Sequence, residues 1–225
     1  MHRCRRMVPT VTILEALSYE QASTLPCAAV TAYNALLGGS RKLKGGDTVL
    51  VQGTGGVSIF GLQLAVASGA TVIATSSSDK KLEIAKKLGA KHLINYKTTP
   101  NWEEEVLKAT DGRGVDHVLE IGGAGTITKS AKSMAFGGNL AVIGFVARPG
   151  DVSMLPMLVL GRASNMRGIL VGSRTQFEDM NRLIEAVNLK PVVDKTFGFE
   201  HLRDAYGYLE SQQHVGKVVV KVAKA

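Results

Sequence analysis

The sequence predicts an α/β fold in which six parallel strands form one doubly wound sheet. Two observations lead there. From about residue 46 onward, short runs rich in β-branched residues alternate with longer segments whose apolar residues recur at helical spacing, the rhythm of strands joined by crossover helices. The first of those strands also gives way directly to a cluster of glycines and then to an apolar helix, as a nucleotide-binding βαβ unit requires.

Residues 18–37, SYEQASTLPCAAVTAYNALL, precede the sheet and read as a short helix, a proline break and a second helix. The strands follow as TVLVQ (48–52), TVIAT (71–75), KHLIN (91–95), DHVLEI (116–121), NLAVIGF (139–145) and MRGILVG (166–172). Between them Val57, Phe60, Leu64 and Ala67, then Leu82, Ala85 and Leu88, fall on single helical faces. Each helix can therefore lay an apolar stripe on the sheet through a right-handed crossover. KGGD (44–47), LGA (88–90), DGRGVD (111–116) and FGGN (136–139) mark the turns. Asp79 and Asn101 are the expected helix N-caps, the latter followed by Glu103, Glu104 and Glu105, which suit the partial positive charge of a helix start. Residues 191–225 read as strand, helix, strand and end in GKVVVKV, whose alternation suits an edge or pairing strand.

Composition limits what else the chain is. At 225 residues and 45% hydrophobic it has material for one core of ordinary size. No run of about 18 apolar residues occurs, so no membrane span is expected. The net charge of +8 raises nucleic acid as a partner. The basic residues are dispersed, however, with acids close by as in DKKLEIAKK, and aromatics are 5% of the chain, too few to stack on bases. No nucleic-acid partner is expected. Cys4 and Cys27 form neither a disulfide framework nor a metal knuckle, which points to a reducing, cytoplasmic setting. His92, His117, His201 and His214 are scattered without ligand spacing and read as surface or satisfied core residues. The first residues, MHRCRRMVPTVTIL, are basic and free of acids but lack an apolar core behind them, and read as a lead-in.

The chemistry is concentrated in VLVQGTGGVS (49–58), where Gly53, Gly55 and Gly56 stand between strand and helix. A pyrophosphate approaches the backbone closely only where no Cβ intervenes, and the helix start beyond offers unpaired N–H groups. The third fingerprint position is Ser58, still small enough for close helix-to-strand packing. The end of the second strand selects the dinucleotide, because an acid there accepts from a ribose 2′-OH and repels a 2′-phosphate. Here that position is Ser76, followed by Ser77, Ser78, Lys80 and Lys81, hydroxyls and ammonium groups suited to a phosphate dianion. The expected cofactor is NADP(H). Two plainer readings stand beside it: a tight βα turn without a ligand, and serines that cap the next helix.

LPCAAVTAYNAL (25–36), KGGDTVLVQGTGGVS (44–58), LGAKHLINYK (88–97), GVDHVLEIGG (114–123), FGGNLAVIGF (136–145) and GKVVV (216–220) together resemble the medium-chain dehydrogenase/reductase superfamily. Within it, QGTGGVS and RGILVGSRTQFEDMN look most like the alcohol dehydrogenase-like, NADP-dependent branch that works without catalytic zinc. The resemblance implies a Rossmann domain with Gly53, Thr54, Gly55, Gly56 and Val57 on the pyrophosphate, and Ser76, Ser77, Lys81 and Tyr96 on the 2′-phosphate. It implies Thr31 beside the nicotinamide, with Gly122, Gly144, Phe145, Ile169 and Val171 lining that half of the site. Cys27 stands where zinc-dependent members place one ligand, but without partners it reads as a small buried residue, and no zinc is expected.

Members of the superfamily begin with a β-rich, GroES-like catalytic domain for which this sequence shows no counterpart. The expected organisation is a lead-in and connector over 1–28, the Rossmann domain over 29–168, and an edge strand, helix and return segment of the second domain over 169–225. The implied activity is an NADP(H)-dependent oxidoreductase acting on a small carbonyl, enone, quinone or alcohol, dimeric through the edge strand of the sheet. In this form it is expected to bind cofactor with little turnover. The alternative is a non-catalytic dinucleotide-binding or interaction module that pairs with full-length relatives.

Overall fold

The computed structural model describes residues 10–147 and 149–222; most of the basic lead-in, with Cys4, lies outside them. The strands β1 (Thr48–Gln52), β2 (Thr71–Ser76), β3 (His92–Asn95), β4 (Val115–Glu120), β5 (Met134–Val142) and β6 (Asn165–Gly168) form one parallel sheet in the order β3-β2-β1-β4-β5-β6. This is the doubly wound Rossmann sheet the sequence predicts. The strand order reverses between β1 and β4, and a ligand crevice opens beyond the carboxyl ends of two such strands.

Alternation along each strand builds a core on both faces. Val49 and Val51 of β1, Val72 and Ala74 of β2, Leu119 of β4 and Ala141 of β5 pack in one cluster, with Leu36 of α2 (Val30–Leu37), Phe60 and Leu64 of α3 (Gly56–Ala67), Leu82 and Ala85 of α4 (Asp79–Lys87) and Met180 and Ile184 of α8 (Arg174–Ala186). Their neighbours Leu50, Ile73, Val118 and Leu140 face the other way, onto Trp102 and Val106 of α5 (Trp102–Lys108) and Ile127 and Ala131 of α6 (Ile127–Lys132). The central strands β1, β2 and β4 are thereby buried almost throughout, which is why they read as continuous apolar runs. Leu17, Leu25 and Ala28 from before the sheet, and Ile169 and Leu189 from after it, join the first cluster.

The remaining elements flank this body. α1 (Tyr19–Ala22) is a single turn with a Ser18–Gln21 capping box, and α7 (Leu155–Gly161) lies between β5 and β6 with no buried residue. After α8 the chain forms β7 (Val193–Gly198), a 3₁₀ turn (Phe199–His201), α9 (Leu202–Glu210) and β8 (Lys217–Lys221), with β7 and β8 pairing parallel in a sheet of their own. The GKVVVKV strand therefore has β7 as a partner.

Several local expectations differ from what forms. Pro26 does not break the helix before the sheet: it sits in the first turn of a π-helical segment (Leu25–Ala29) that runs directly into α2, where its missing N–H costs nothing. The N-cap of α4 is Ser78, with Asp79 the first helical residue and its carboxylate accepting from Asn95 at 2.8 Å. FGGN is not a turn but the irregular first half of β5, whose pairing with β4 shifts register after Val115. Gly137 there takes φ +69°, its N–H donates to the Arg162 carbonyl at 2.7 Å, and its own carbonyl accepts from Arg41. The edge strand stops at Gly168, because Val171 turns left-handed (φ +54°) and gives its carbonyl to the Asn34 amide at 2.8 Å.

Candidate functional site

A cleft of about 670 Å³ opens at the carboxyl ends of β1 and β4, where the strand order reverses. Of the residues singled out from the sequence, Gly53, Thr54, Gly55, Gly56, Val57, Ser76, Ser77, Lys81, Tyr96 and Gly122 line it. The glycine turn is built for a close approach. Gly53 takes φ +73°, and a Cβ at Gly53 or Gly55 would meet nothing within 4 Å. Gly55 caps α3 without a side-chain hydrogen bond, so the first-turn amides are left for a ligand. Gly56 differs: a Cβ there would lie 2.6 Å from Lys217 Cδ.

The turn is held from behind by Ser58 and by a buried network under the cleft floor. The buried Ser58 hydroxyl donates to the Gln52 carbonyl at 2.6 Å, tying the start of α3 to the end of β1. The close helix-to-strand approach falls at Gly61, where a Cβ would sit 2.3 Å from Leu119 Cδ2. Below the cleft floor Glu120 is fully buried, and among the described residues it forms no salt bridge. Its Oε1 accepts from the Gly122 and Gly123 amides, each at 2.9 Å, and from Thr126; its Oε2 accepts from Gln52 at 2.8 Å and from Ser130. Five donors stand in for a counter-ion. Gln52 Oε1 in turn accepts from the Ile121 and Gly122 amides at 3.1 and 3.3 Å. Gln52 and Thr126 also reach the cleft, so this network sets its floor.

At the far end β2 finishes in Ser76, with Ser77 beside it and no carboxylate on the lining. Lys81 Nζ approaches the carbonyls of Gln212 and, at 3.3 Å, His214. Burial draws the lysine pKa down and Asp194 opposes it. Tyr96, Pro100, Trp102 and Lys129 complete this end.

Thr31, Gly144, Phe145, Ile169 and Val171 are not brought to the cleft. The Thr31 hydroxyl donates to the Cys27 carbonyl at 2.6 Å, Ile169 and Val171 pack with the core, and Gly144 fits against the Ile121 carbonyl, 2.4 Å from where a Cβ would stand. Phe145 is 90% exposed. Among the histidines, His92 is half-buried and His201 exposed. His117 and His214 each carry a buried Nδ1 without a hydrogen-bond partner, so neither is the satisfied residue expected.

Cys27 is exposed rather than buried, on the first turn ahead of α2. Among the described residues no three His, Cys, Asp or Glu side chains come together to hold a metal. These side chains do not fit a zinc ion. No helix of the described residues is long and apolar enough to cross a membrane.

Comparison with known proteins bears on the family and the fold. The family model described as zinc-binding dehydrogenase matches residues 56–186. The zinc-type alcohol dehydrogenase-like protein of Schizosaccharomyces pombe is 53% identical over 210 residues, which are 92% of this chain and 61% of that protein. A solved NAD-dependent alcohol dehydrogenase, 34% identical, superposes with a TM-score of 0.80 over 94% of this chain and 63% of its own. A crotonyl-CoA carboxylase/reductase in complex with NADP, 26% identical, gives 0.84 over 92% and 57%. The chain thus spans about 60% of the length of the relatives it matches.

Proposed function

The chain belongs to the zinc-binding dehydrogenase family, and on that premise we propose that it binds NADP(H) and serves an oxidoreductase acting on a small carbonyl, enone, quinone or alcohol. The relatives carry names of both cofactor preferences, one NAD-dependent and one complexed with NADP, so the choice rests on this chain's own residues. One observation carries it. The position at the end of β2 that would hold a ribose-binding acid is Ser76, and the cleft wall beside it adds Ser77 and Lys81. A dianionic phosphate gains hydroxyl and ammonium donors there and meets no repelling carboxylate.

In this reading Gly53 to Val57 seat the pyrophosphate against the first turn of α3. The Glu120 network holds Gly122 and the following loop as the floor beneath the second ribose and the ring. When bound, the nicotinamide supplies or accepts the hydride; the chain's part is to bind and orient it. Water exclusion is a separate matter. Val146, on the cleft lining, is 75% exposed, so the described residues give that end of the cleft one wall. Closing a cleft from two sides contributes up to about 7 to 11 kcal/mol through orientation. We therefore propose that these 225 residues bind cofactor well and turn it over slowly.

Titration calorimetry with NADPH and NADH tests the cofactor assignment. NADPH is expected to bind at least tenfold more tightly, a difference of about 1.4 kcal/mol, and Ser76→Asp should reverse the order. Equal affinities for the two in the unaltered chain would refute it.

A further inference from the structure

The loop Ser211–Gly216, between α9 and β8, belongs to the cleft although it lies far from the glycine turn in sequence. Gly216 (φ +75°) donates its N–H to the Thr54 carbonyl at 2.9 Å and bridges to Gly55. A Cβ at Gly216 would stand 2.5 Å from the Val192 carbonyl, so the chain passes here only as glycine. Gln212 is itself left-handed, at φ +53°. This hook carries His214 onto the lining beside Ser76, Ser77 and Lys81.

We infer that His214 is a second, titratable cation for the adenosine 2′-phosphate, completing a seat formed by Lys81 and the Ser76 and Ser77 hydroxyls, so that NADP(H) binding takes up a proton. The inference rests on the NADP(H) reading above. Three features carry it. His214 lines the end of the cleft where that phosphate would sit. Its Nδ1 is buried and without a hydrogen-bond partner, a cost that a bound acceptor or the added proton redistributes. Its backbone carbonyl accepts from Lys81 Nζ at 3.3 Å, which ties the hook to that lysine on the same cleft lining.

The surroundings fix the sign. Burial holds the imidazole below its ordinary range, Lys81 of α4 and Lys217 of β8 push the same way, and Asp194 of β7 pulls upward. The Tyr208 ring of α9, 6.4 Å from the imidazole, adds no charge while its hydroxyl stays bonded to Asp194 at 2.6 Å. A phosphate carrying about two negative charges outweighs both lysines and raises the imidazole pKa on binding. Affinity for NADP(H) therefore rises as pH falls toward neutrality, whereas NAD(H), without the phosphate, shows no such slope. The phosphate's own second ionisation lies near pH 6, so the effect is read at about pH 7.5, where that group is already dianionic.

Calorimetric titration of the full chain with NADPH and NADH, in two buffers of different ionisation enthalpy, counts the protons. NADPH is expected to take up a fraction of a proton and NADH none. His214→Asn should abolish the uptake, weaken NADPH by about tenfold and leave NADH unchanged, the NADH titration serving as the folding control. His214→Lys should restore NADPH affinity without the uptake. Undiminished uptake and affinity in His214→Asn would overturn the role of His214 while leaving the NADPH preference standing. Equal affinity for NADPH and NADH in the unaltered chain would overturn the cofactor reading, and this inference with it.

Discussion

The Gln52 amide donates to the Glu120 carboxylate at 2.8 Å across the β1–β4 seam, with both side chains buried under the floor of the cleft. Because Glu120 also takes two backbone amides and two hydroxyls, it can serve all five donors only as an acceptor. Glu120→Gln keeps the shape but turns one oxygen into a donor. Ser130 can rotate to accept. Gln52 cannot flip without aiming its NH₂ at the Ile121 and Gly122 amides, so one donor is stranded whichever way the amides turn. The expected loss is about 1 to 3 kcal/mol, read as a lower urea midpoint together with weaker dinucleotide binding. An unchanged midpoint with unchanged dinucleotide binding would refute this role for the network.

Gly55 and Gly53 separate binding from folding. Gly55 has φ −74° and ψ −178°, open to any residue, and a Cβ there projects into unfilled space at the cleft. Gly55→Ala should keep its melting temperature and lose roughly tenfold or more in NADPH affinity, because the new methyl stands where the pyrophosphate must approach. Gly53, at φ +73°, pays in the fold as well: Gly53→Ala should lose about 1 kcal/mol of stability from the left-handed backbone alone. Thermal denaturation beside binding isotherms distinguishes the two. Equal destabilisation by both variants would contradict this division.

His117 gives the fold a pH dependence of definite sign. It is buried in β4, its Nε2 lies 3.3 Å from Asp47, and burial lowers its pKa although Asp47 opposes the shift. The unfolded chain therefore binds this proton at a higher pH than the folded chain does. Stability is fully present above the ordinary imidazole value of about 6.5 and falls with pH from there down to the lowered value, where it levels off. Urea unfolding between about pH 7 and 5 should show that decline, and His117→Asn should flatten it. An identical slope in the variant would place the titrating group elsewhere.

What the sequence revealed follows from how local each feature is. The glycine turn, the serine-ended β2 and the strand sequence are written in contiguous residues, and 10 of the 15 cofactor-site residues named from sequence line one cleft. The Glu120–Gln52 pair was not legible, because its members are 68 residues apart and each looks like an ordinary polar strand end. The hook at Gly216 escaped for the same reason. On α3, one apolar stripe was expected, yet Ser58 to Leu62 are all buried, since α2 and the π-helical turn cover the side away from the sheet. Long-range cover of this kind leaves no periodic trace in a helix that is apolar all round. Gly61 could have been noticed as a glycine inside a helical pattern, a mark of close packing.

The last strand of the sheet sets an expectation for assembly. β6 pairs with β5 on one side and, among the described residues, has no partner on the other, leaving backbone donors and acceptors open to a second chain. Apolar side chains accompany that edge: Met166 on β6, Phe136 on β5 and Leu160 on α7 are each at least half exposed. Two copies meeting edge to edge would satisfy the strand and cover these groups, though a stable contact needs about 800 Å² from each partner. The expected state at micromolar concentration is therefore a dimer. Met166→Lys combined with Leu160→Glu should dissociate it, because both charges would be desolvated at the junction. NADPH affinity should survive the change, since neither residue lines the cleft. Sedimentation velocity on the unaltered and doubly substituted chains decides the matter. A monomer in both would show that the β6 edge is protected by other means, and a dimer in both would place the contact on another face.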